Sequence, residues 1–166
     1  MYSLQTIKHS EADSETLNRV IAIKQVAWPY PVDSQLRWMR NNLRDDDVHA
    51  FLQEDGRDVA YLNIAWVSAC INGVNVRCAG VGNVCSKFTG GGYGKSLIIK
   101  TEEYFARNNL IGILFCKNAL VGFYEKYNWK LIDSKRVTLP HVLEGINTMV
   151  FNIDNVDTIE YRDRNF

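Results

Sequence analysis

Residues 81–97 read VGNVCSKFTGGGYGKSL, with four glycines in five positions at Gly90, Gly91, Gly92 and Gly94. A strand-like run ends near Cys85, and the apolar-periodic run Leu97, Ile98, Ile99 follows Lys95 and Ser96. The pattern is strand, glycine loop, helix start. Such a loop presents several backbone N–H groups at the positive end of a helix dipole, where an anion, most often phosphate, is stabilised. Glycine suits the position because the backbone must take positive φ and let a bulky anion approach.

Two phosphate loops are disfavoured by spacing, with a nucleotide-binding P-loop kept as the remote alternative. A P-loop requires G-x-x-x-x-G-K-[ST]. Gly94, Lys95 and Ser96 match its end, but Thr89 stands where the first glycine belongs. A dinucleotide loop requires G-x-G-x-x-G directly after a strand, and Gly90, Gly92 and Gly94 do not keep that spacing. A glycine-rich turn without a ligand is the alternative. It leaves the chain-entropy cost of four glycines unexplained.

A chain of 166 residues is long enough for one domain with a sizeable core. Lys+Arg and Asp+Glu are equal at 19 each, which argues against a nucleic-acid surface, since such domains are clearly basic. No apolar run approaches the ~20 residues of a membrane-spanning helix. The opening MYSLQTIKHSEADSE has no apolar signal core, so the expected location is the cytoplasm. Cys70, Cys78, Cys85 and Cys116 lie in apolar runs without C-x-x-C spacing and read as buried free thiols. His9, His49 and His141 are far apart and none pairs with a cysteine at ligand spacing, so no metal site is expected.

The elements that must position the loop follow from periodicity and punctuation. Residues 2–8 alternate as a strand, and Leu17, Val20, Ile21 and Ile23–Lys24 recur at helical spacing over 14–27. Trp28-Pro29-Tyr30-Pro31 stops that helix. It reads either as a rigid linker or as part of an acceptor pocket wall. A short helix follows through Leu36, Trp38 and Met39, with Asp33 or Ser34 as its cap. Strands over 48–53, 58–68 and 74–84 are joined by turns at Glu54–Arg57 and Ile71–Gly73, which makes an antiparallel meander. A helix over 92–108, an apolar strand over 110–116, a short helix over 119–127 and strands over 129–137 and 148–153 complete the order. The strands flanking the 92–108 helix should be parallel, because a crossover helix joins them. Residues 154–166 read as a charged tail without clear period.

Val84-Cys85-Ser86-Lys87-Phe88-Thr89-Gly90-Gly91-Gly92-Tyr93-Gly94, followed by Cys116 to Tyr124 and by Tyr127-Asn128-Trp129, resembles the GNAT superfamily of acyl-CoA-dependent N-acetyltransferases over residues 2–153. The family's loop motif [QR]-x-x-G-x-[GA] falls on Thr89 to Gly94, with Thr89 in place of Gln or Arg and Ser86 in place of a frequent proline. The resemblance implies an α+β fold with a mixed, mostly antiparallel sheet of about six to seven strands. Helices would cover both faces, and a splayed parallel pair would sit at the cofactor site. It also implies one acetyltransferase domain over 1–153, with 154–166 as its tail.

The resemblance further implies that acetyl-CoA is the cosubstrate. Its pyrophosphate would lie on Thr89, Gly90, Gly91, Gly92, Tyr93, Gly94, Lys95 and Ser96. Its pantetheine arm would pair beside Val84, Cys85 and Ser86 and touch Asn118, which equally suits a helix N-cap by type. Tyr124 matches the family's general-acid tyrosine, and its phenol is protonated at neutral pH; a core tyrosine is the alternative. A backbone N–H near Cys85 is the natural donor to the thioester oxygen. The base is open between Glu144, His141, Asp133 and a water chain, with Glu144 favoured because its loop often overlies the acceptor in this family. Cys85 as an acyl-cysteine nucleophile is disfavoured, since no histidine is near it in sequence.

The expected reaction is acetyl transfer to a primary amine of a small molecule by direct attack, with no nucleic acid or membrane partner. Weak similarity to aminoglycoside and arylalkylamine acetyltransferases implies a cationic acceptor, for which Asp33, Asp133 and Glu144 could supply carboxylates. A protein or peptide acceptor, and a CoA-binding module without turnover, are the competing readings. The family often dimerises, so a homodimer is compatible.

Overall fold

The chain begins with β1 (Tyr2–Lys8), α1 (Ser14–Ala27), α2 (Val32–Asn42), β2 (Val48–Glu54), β3 (Arg57–Ile71), β4 (Val74–Ser86) and α3 (Tyr93–Arg107). It continues with β5 (Gly112–Cys116), α4 (Asn118–Glu125), β6 (Lys130–Ile132), β7 (Val137–Thr138), β8 (Asn147–Phe151) and β9 (Ile159–Tyr161). This is a computed structural model, and it describes residues 1–166. The sheet has nine strands, paired along the path β1-β2-β3-β4-β5-β8-β6, with β9 on β3 and β7 on β9. It is mixed and mostly antiparallel, as expected. β4 and β5 are parallel, with Ala79 opposite Gly112 and Gly80 opposite Ile113.

The chain divides into two compact units, residues 1–65, 82–101 and 166 in one, and residues 66–81 and 102–165 in the other. In the first, β1 and β2 run antiparallel from Tyr2 opposite Glu54 to Lys8 opposite Val48. The β2–β3 turn is made by Asp55 and Gly56, both at positive φ (49° and 77°), the geometry whose twist suits a two-residue hairpin. Asp13 caps α1 by accepting from the Thr16 N–H at 2.8 Å, which satisfies a donor that the helix leaves open. The buried face of α1 places Val20, Ile21 and Ile23 against Met39, Phe51, Tyr61 and Cys85. The Trp28-Pro29 step ends α1 as the proline requires. No side chain caps α2, whose N-cap is Pro31 rather than Asp33 or Ser34.

In the second unit, β5 pairs antiparallel with β8 and β8 with β6. Trp129 is 2% exposed and packs against the rings of Phe105 and Phe151. Gly112 leaves room for them, since a Cβ there would lie 2.7 Å from the Trp129 ring. The strand expected over 129–137 is broken: the Asp133 side chain accepts from the Lys135 N–H at 2.9 Å and turns 134–136 into a 3-10 helix. The apolar strand begins at Gly112 rather than Leu110, because Asn109 (φ 52°) ends α3 and Leu110 N–H still bonds back to Phe105 at 2.9 Å.

The segment expected as a tail carries β9, with Ile159 and Tyr161 buried on either side of Glu160. Asn72, at the β3–β4 turn, holds it in place. Its side-chain oxygen accepts from the N–H groups of Asp157 (2.8 Å) and Thr158 (3.0 Å), and its amide donates to the Asn155 carbonyl at 2.7 Å. A residue chosen for a turn thus also ties down a segment more than eighty residues away.

Candidate functional site: a glycine nest and its flanking strand

In the first unit, β4 leads into the loop. Its last residues include Gly82 and Asn83, and Asn83 sits at positive φ (53°) inside the strand. That local irregularity is held by the Asn83 amide, which donates to Asn63 Oδ1 at 2.5 Å. Irregular strand positions of this kind re-aim the residues that follow. Beyond them, Val84 and Ser86 are half-buried and Cys85 is 7% exposed. Burial pushes the Cys85 thiol up to about 12 against a smaller opposing effect of Lys24, so the sulfur stays protonated at neutral pH and is a poor nucleophile.

Residues 87–92 form the loop. Thr89, Gly90, Gly91 and Gly92 are exposed. Gly90 and Gly92 have φ of 82° and 69°, with nothing within 4 Å of where a Cβ would stand. The backbone therefore faces open space in a conformation that side chains resist. A Cβ on Gly91 would fall 2.3 Å from the Tyr93 ring. Tyr93 opens α3 and is anchored by its hydroxyl, which donates to Glu54 Oε2 at 3.1 Å. The first turn of α3 holds no acidic residue, and Gly94 and Lys95 follow Tyr93 within it. The Ser96 N–H is already bonded to the Gly92 carbonyl at 3.1 Å, so the open donors of this helix end lie before Ser96. A doubly charged phosphate linkage fits such a nest of amides at a helix N-terminus.

The remaining expected residues lie in the second unit. Asn118 is exposed at the start of α4 and does not cap it; its Oδ1 accepts from the Asn147 amide at 2.6 Å. Tyr124 is 6% exposed and packs edge-on against Phe123 and Trp129. Burial, aided by Cys116, pushes its phenol up to about 12. Glu144 stands on an exposed loop and pairs with His141, Oε2 to Nδ1 at 2.9 Å. Both border an open cavity of about 720 Å³ that includes Thr138 and Asn147. The structure thus joins Glu144 to His141 and sets Tyr124 among the rings of Phe123 and Trp129, with Cys116 near its phenol. Asp133, the third base candidate, serves its own turn.

The sequence suggested no functional role for Lys24 or for Gln35. Lys24 and Gln35 are both buried, at 6% and 3% exposure. The available signal was Lys24's place on the apolar face of α1, beside Ile21 and Ile23.

The family model described as an acetyltransferase (GNAT) domain matches residues 8–132. The chain belongs to the GNAT acetyltransferase family. No curated protein matches this GNAT sequence. Among solved structures, Escherichia coli ElaA is similar at 17% identity and TM-score 0.63, over 91% of this chain and 99% of that one. An acyl-CoA N-acyltransferase from Pseudomonas aeruginosa is similar at 16% identity and TM-score 0.60, over 90% and 99%. The E. coli GNAT N-acetyltransferase YhbS, solved with CoA, has 11% identity and TM-score 0.64 over 97% and 89%. At these identities the structures share the fold of this GNAT chain, and the GNAT fold supports acyl transfer in general. No helix of the chain is long and apolar enough to cross a membrane, and no group of three or more His, Cys, Asp or Glu could hold a metal ion.

Proposed function

We propose that the protein transfers an acetyl group from acetyl-CoA to a primary amine of a small molecule by direct attack. The observation that carries this reading is the glycine nest, with exposed Gly90 and Gly92 at positive φ before a helix that bears no acidic first-turn residue. Such a nest favours a pyrophosphate, and YhbS, which shares the fold, was solved with CoA. Thr89 to Lys95 would hold the pyrophosphate. Val84 to Ser86 would pair with the pantetheine arm as an added strand, and Asn118 would touch it.

In the reaction, the neutral amine nitrogen bonds to the thioester carbonyl carbon, and the carbon–sulfur bond breaks. The nitrogen gives up one proton and the departing thiolate gains one. A backbone N–H near Cys85 would donate to the carbonyl oxygen as charge develops. Tyr124, protonated far above neutrality, would supply the proton to sulfur. Glu144, in its pair with His141, would accept the proton from nitrogen. The protonated Cys85 thiol favours direct attack over an acyl-cysteine route. The cysteines are all free, which suits a reducing compartment such as the cytoplasm.

Thermal shift tests the reading directly. Acetyl-CoA should raise Tm, ATP should not, and Gly92→Glu should remove the acetyl-CoA effect by placing bulk and negative charge in the nest. Stabilisation by ATP alone, or an unchanged acetyl-CoA shift in Gly92→Glu, would overturn it.

A further inference from the structure

The first unit contains a half-open pocket between the end of α1 and α2, with a volume of about 300 Å³. Its walls are the rings of Trp28, Tyr30 and Trp38, and its polar lining includes Lys24, Gln35 and Asn83. Asn83 places the space against β4, two residues before Cys85. Lys24 is near enough to Cys85 for its charge to act on the thiol. Among these lining residues there is no carboxylate.

Two buried polar groups lack a conventional partner here. Lys24 makes no hydrogen bond or ion pair, and its ammonium lies over the Trp38 ring at 4.4 Å from the centroid. A ring face is only a partial substitute for water or an anion, and burial holds the Lys24 pKa below its ordinary value. Gln35 is turned by its own donors. Its Nε2 donates to the carbonyls of Trp28 and Tyr30, both at 3.3 Å. That orientation is forced, because a carbonyl cannot donate. It leaves Gln35 Oε1 buried with no partner, which is unfavourable for a polar atom. A buried cation and a residue with a buried, unpaired acceptor therefore both belong to the lining of one small aromatic pocket.

We propose that this pocket takes an amine that also carries a carboxylate and an apolar or aromatic body, an amino-acid-like acceptor. The carboxylate pairs with Lys24, and the body packs between Trp28, Tyr30 and Trp38. A polycation is disfavoured, since it would meet Lys24 with no compensating acid. This acceptor differs from the cationic one that the sequence resemblance implies. A volume of about 300 Å³ is at the small end for ligand pockets and suits one amino acid. The inference rests on the acetyl-CoA reading above, and the covalent step is the one given there.

The experiment measures thiol release from acetyl-CoA with phenylalanine, phenylalaninamide, phenethylamine and kanamycin as acceptors, alongside thermal shift with CoA. Phenylalanine should exceed phenethylamine and phenylalaninamide in kcat/KM by roughly 10- to 100-fold, the usual worth of a charge-assisted contact. Lys24→Met, which keeps an apolar stem against Trp38, should abolish that preference, while Lys24→Arg should keep part of it. N-acetylphenylalanine should quench the tryptophan fluorescence of the wild type and not that of Lys24→Met. Equal or better use of phenethylamine, phenylalaninamide or kanamycin would overturn the proposal, as would an unchanged preference in Lys24→Met. If CoA stabilises the protein but no carboxylate-bearing amine is acetylated, the acceptor class is wrong and the CoA reading stands. If CoA does not bind, both fall.

Discussion

His49 Nδ1 lies 2.8 Å from the Tyr61 hydroxyl, and both residues are essentially buried, at 0% and 1% exposure. The other ring nitrogen of His49, Nε2, is 3.0 Å from Nδ1 of the half-buried His9. A hydrogen-bonded row thus runs from near the surface to the core wall shared with Cys85. Burial, with smaller electrostatic effects of His9 and Lys24, pushes the His49 pKa down to about 4, against a smaller effect of Asp47.

This makes stability pH-dependent in a definite direction. Above its ordinary pKa near 6.5, His49 is neutral both folded and unfolded. Between there and about 4 the unfolded chain binds a proton that the folded one refuses, so stability is lost as pH falls through that window. The loss should reach at most about 3 kcal/mol. Urea midpoints at pH 7.5 and pH 5 should show it, and His49→Gln should flatten the pH slope. A slope that His49→Gln leaves intact would assign the effect to another group.

Glu102 acts in the opposite sense. It is 8% exposed, its Oε2 accepts from the Asn128 amide at 3.2 Å, and burial lifts its pKa from 4.5 to about 7. A folded carboxyl with a raised pKa contributes stability at low pH that is lost as pH rises from the unfolded value through the folded one. Glu102→Gln removes the charge and keeps an acceptor for Asn128. It should therefore stabilise the protein by about 1–3 kcal/mol at pH 8 and by much less at pH 4.5. Equal effects at both pH values in thermal melts would contradict this account.

Tyr124→Phe bears on the proposed acid. The ring keeps its contacts with Phe123 and Trp129, so the fold and CoA affinity should be retained. If the phenol protonates the leaving thiolate, kcat should fall by roughly 10²–10⁴-fold. Because its pKa is pushed up to about 12, the wild-type rate should show no alkaline decline from this group below about pH 11. An unchanged kcat would return Tyr124 to a packing role.

Much of the order of elements was legible because local rules produce it. Alternation over 2–8, the Asp55-Gly56 and Asn72-Gly73 turns, and the glycine loop before α3 depend on neighbours in the chain. Where a side chain redirected the backbone, the reading failed. Asp133 bends what looked like one long strand, and Asn72 secures β9 in a segment that looked like a loose tail. Neither hydrogen bond has a periodic signature.

The sequence by itself determined a glycine-rich loop at a helix N-terminus, because a φ requirement and a helix end are local properties. The tertiary structure decided the surroundings of the other expected residues. It set Glu144 on an exposed loop with His141 and enclosed Tyr124 among rings. It also left Lys24 and Gln35, with its unpaired Oε1, buried in the lining of one small pocket. Burial and partner choice depend on which distant residues fold over a group, and these in turn set its charge and reactivity.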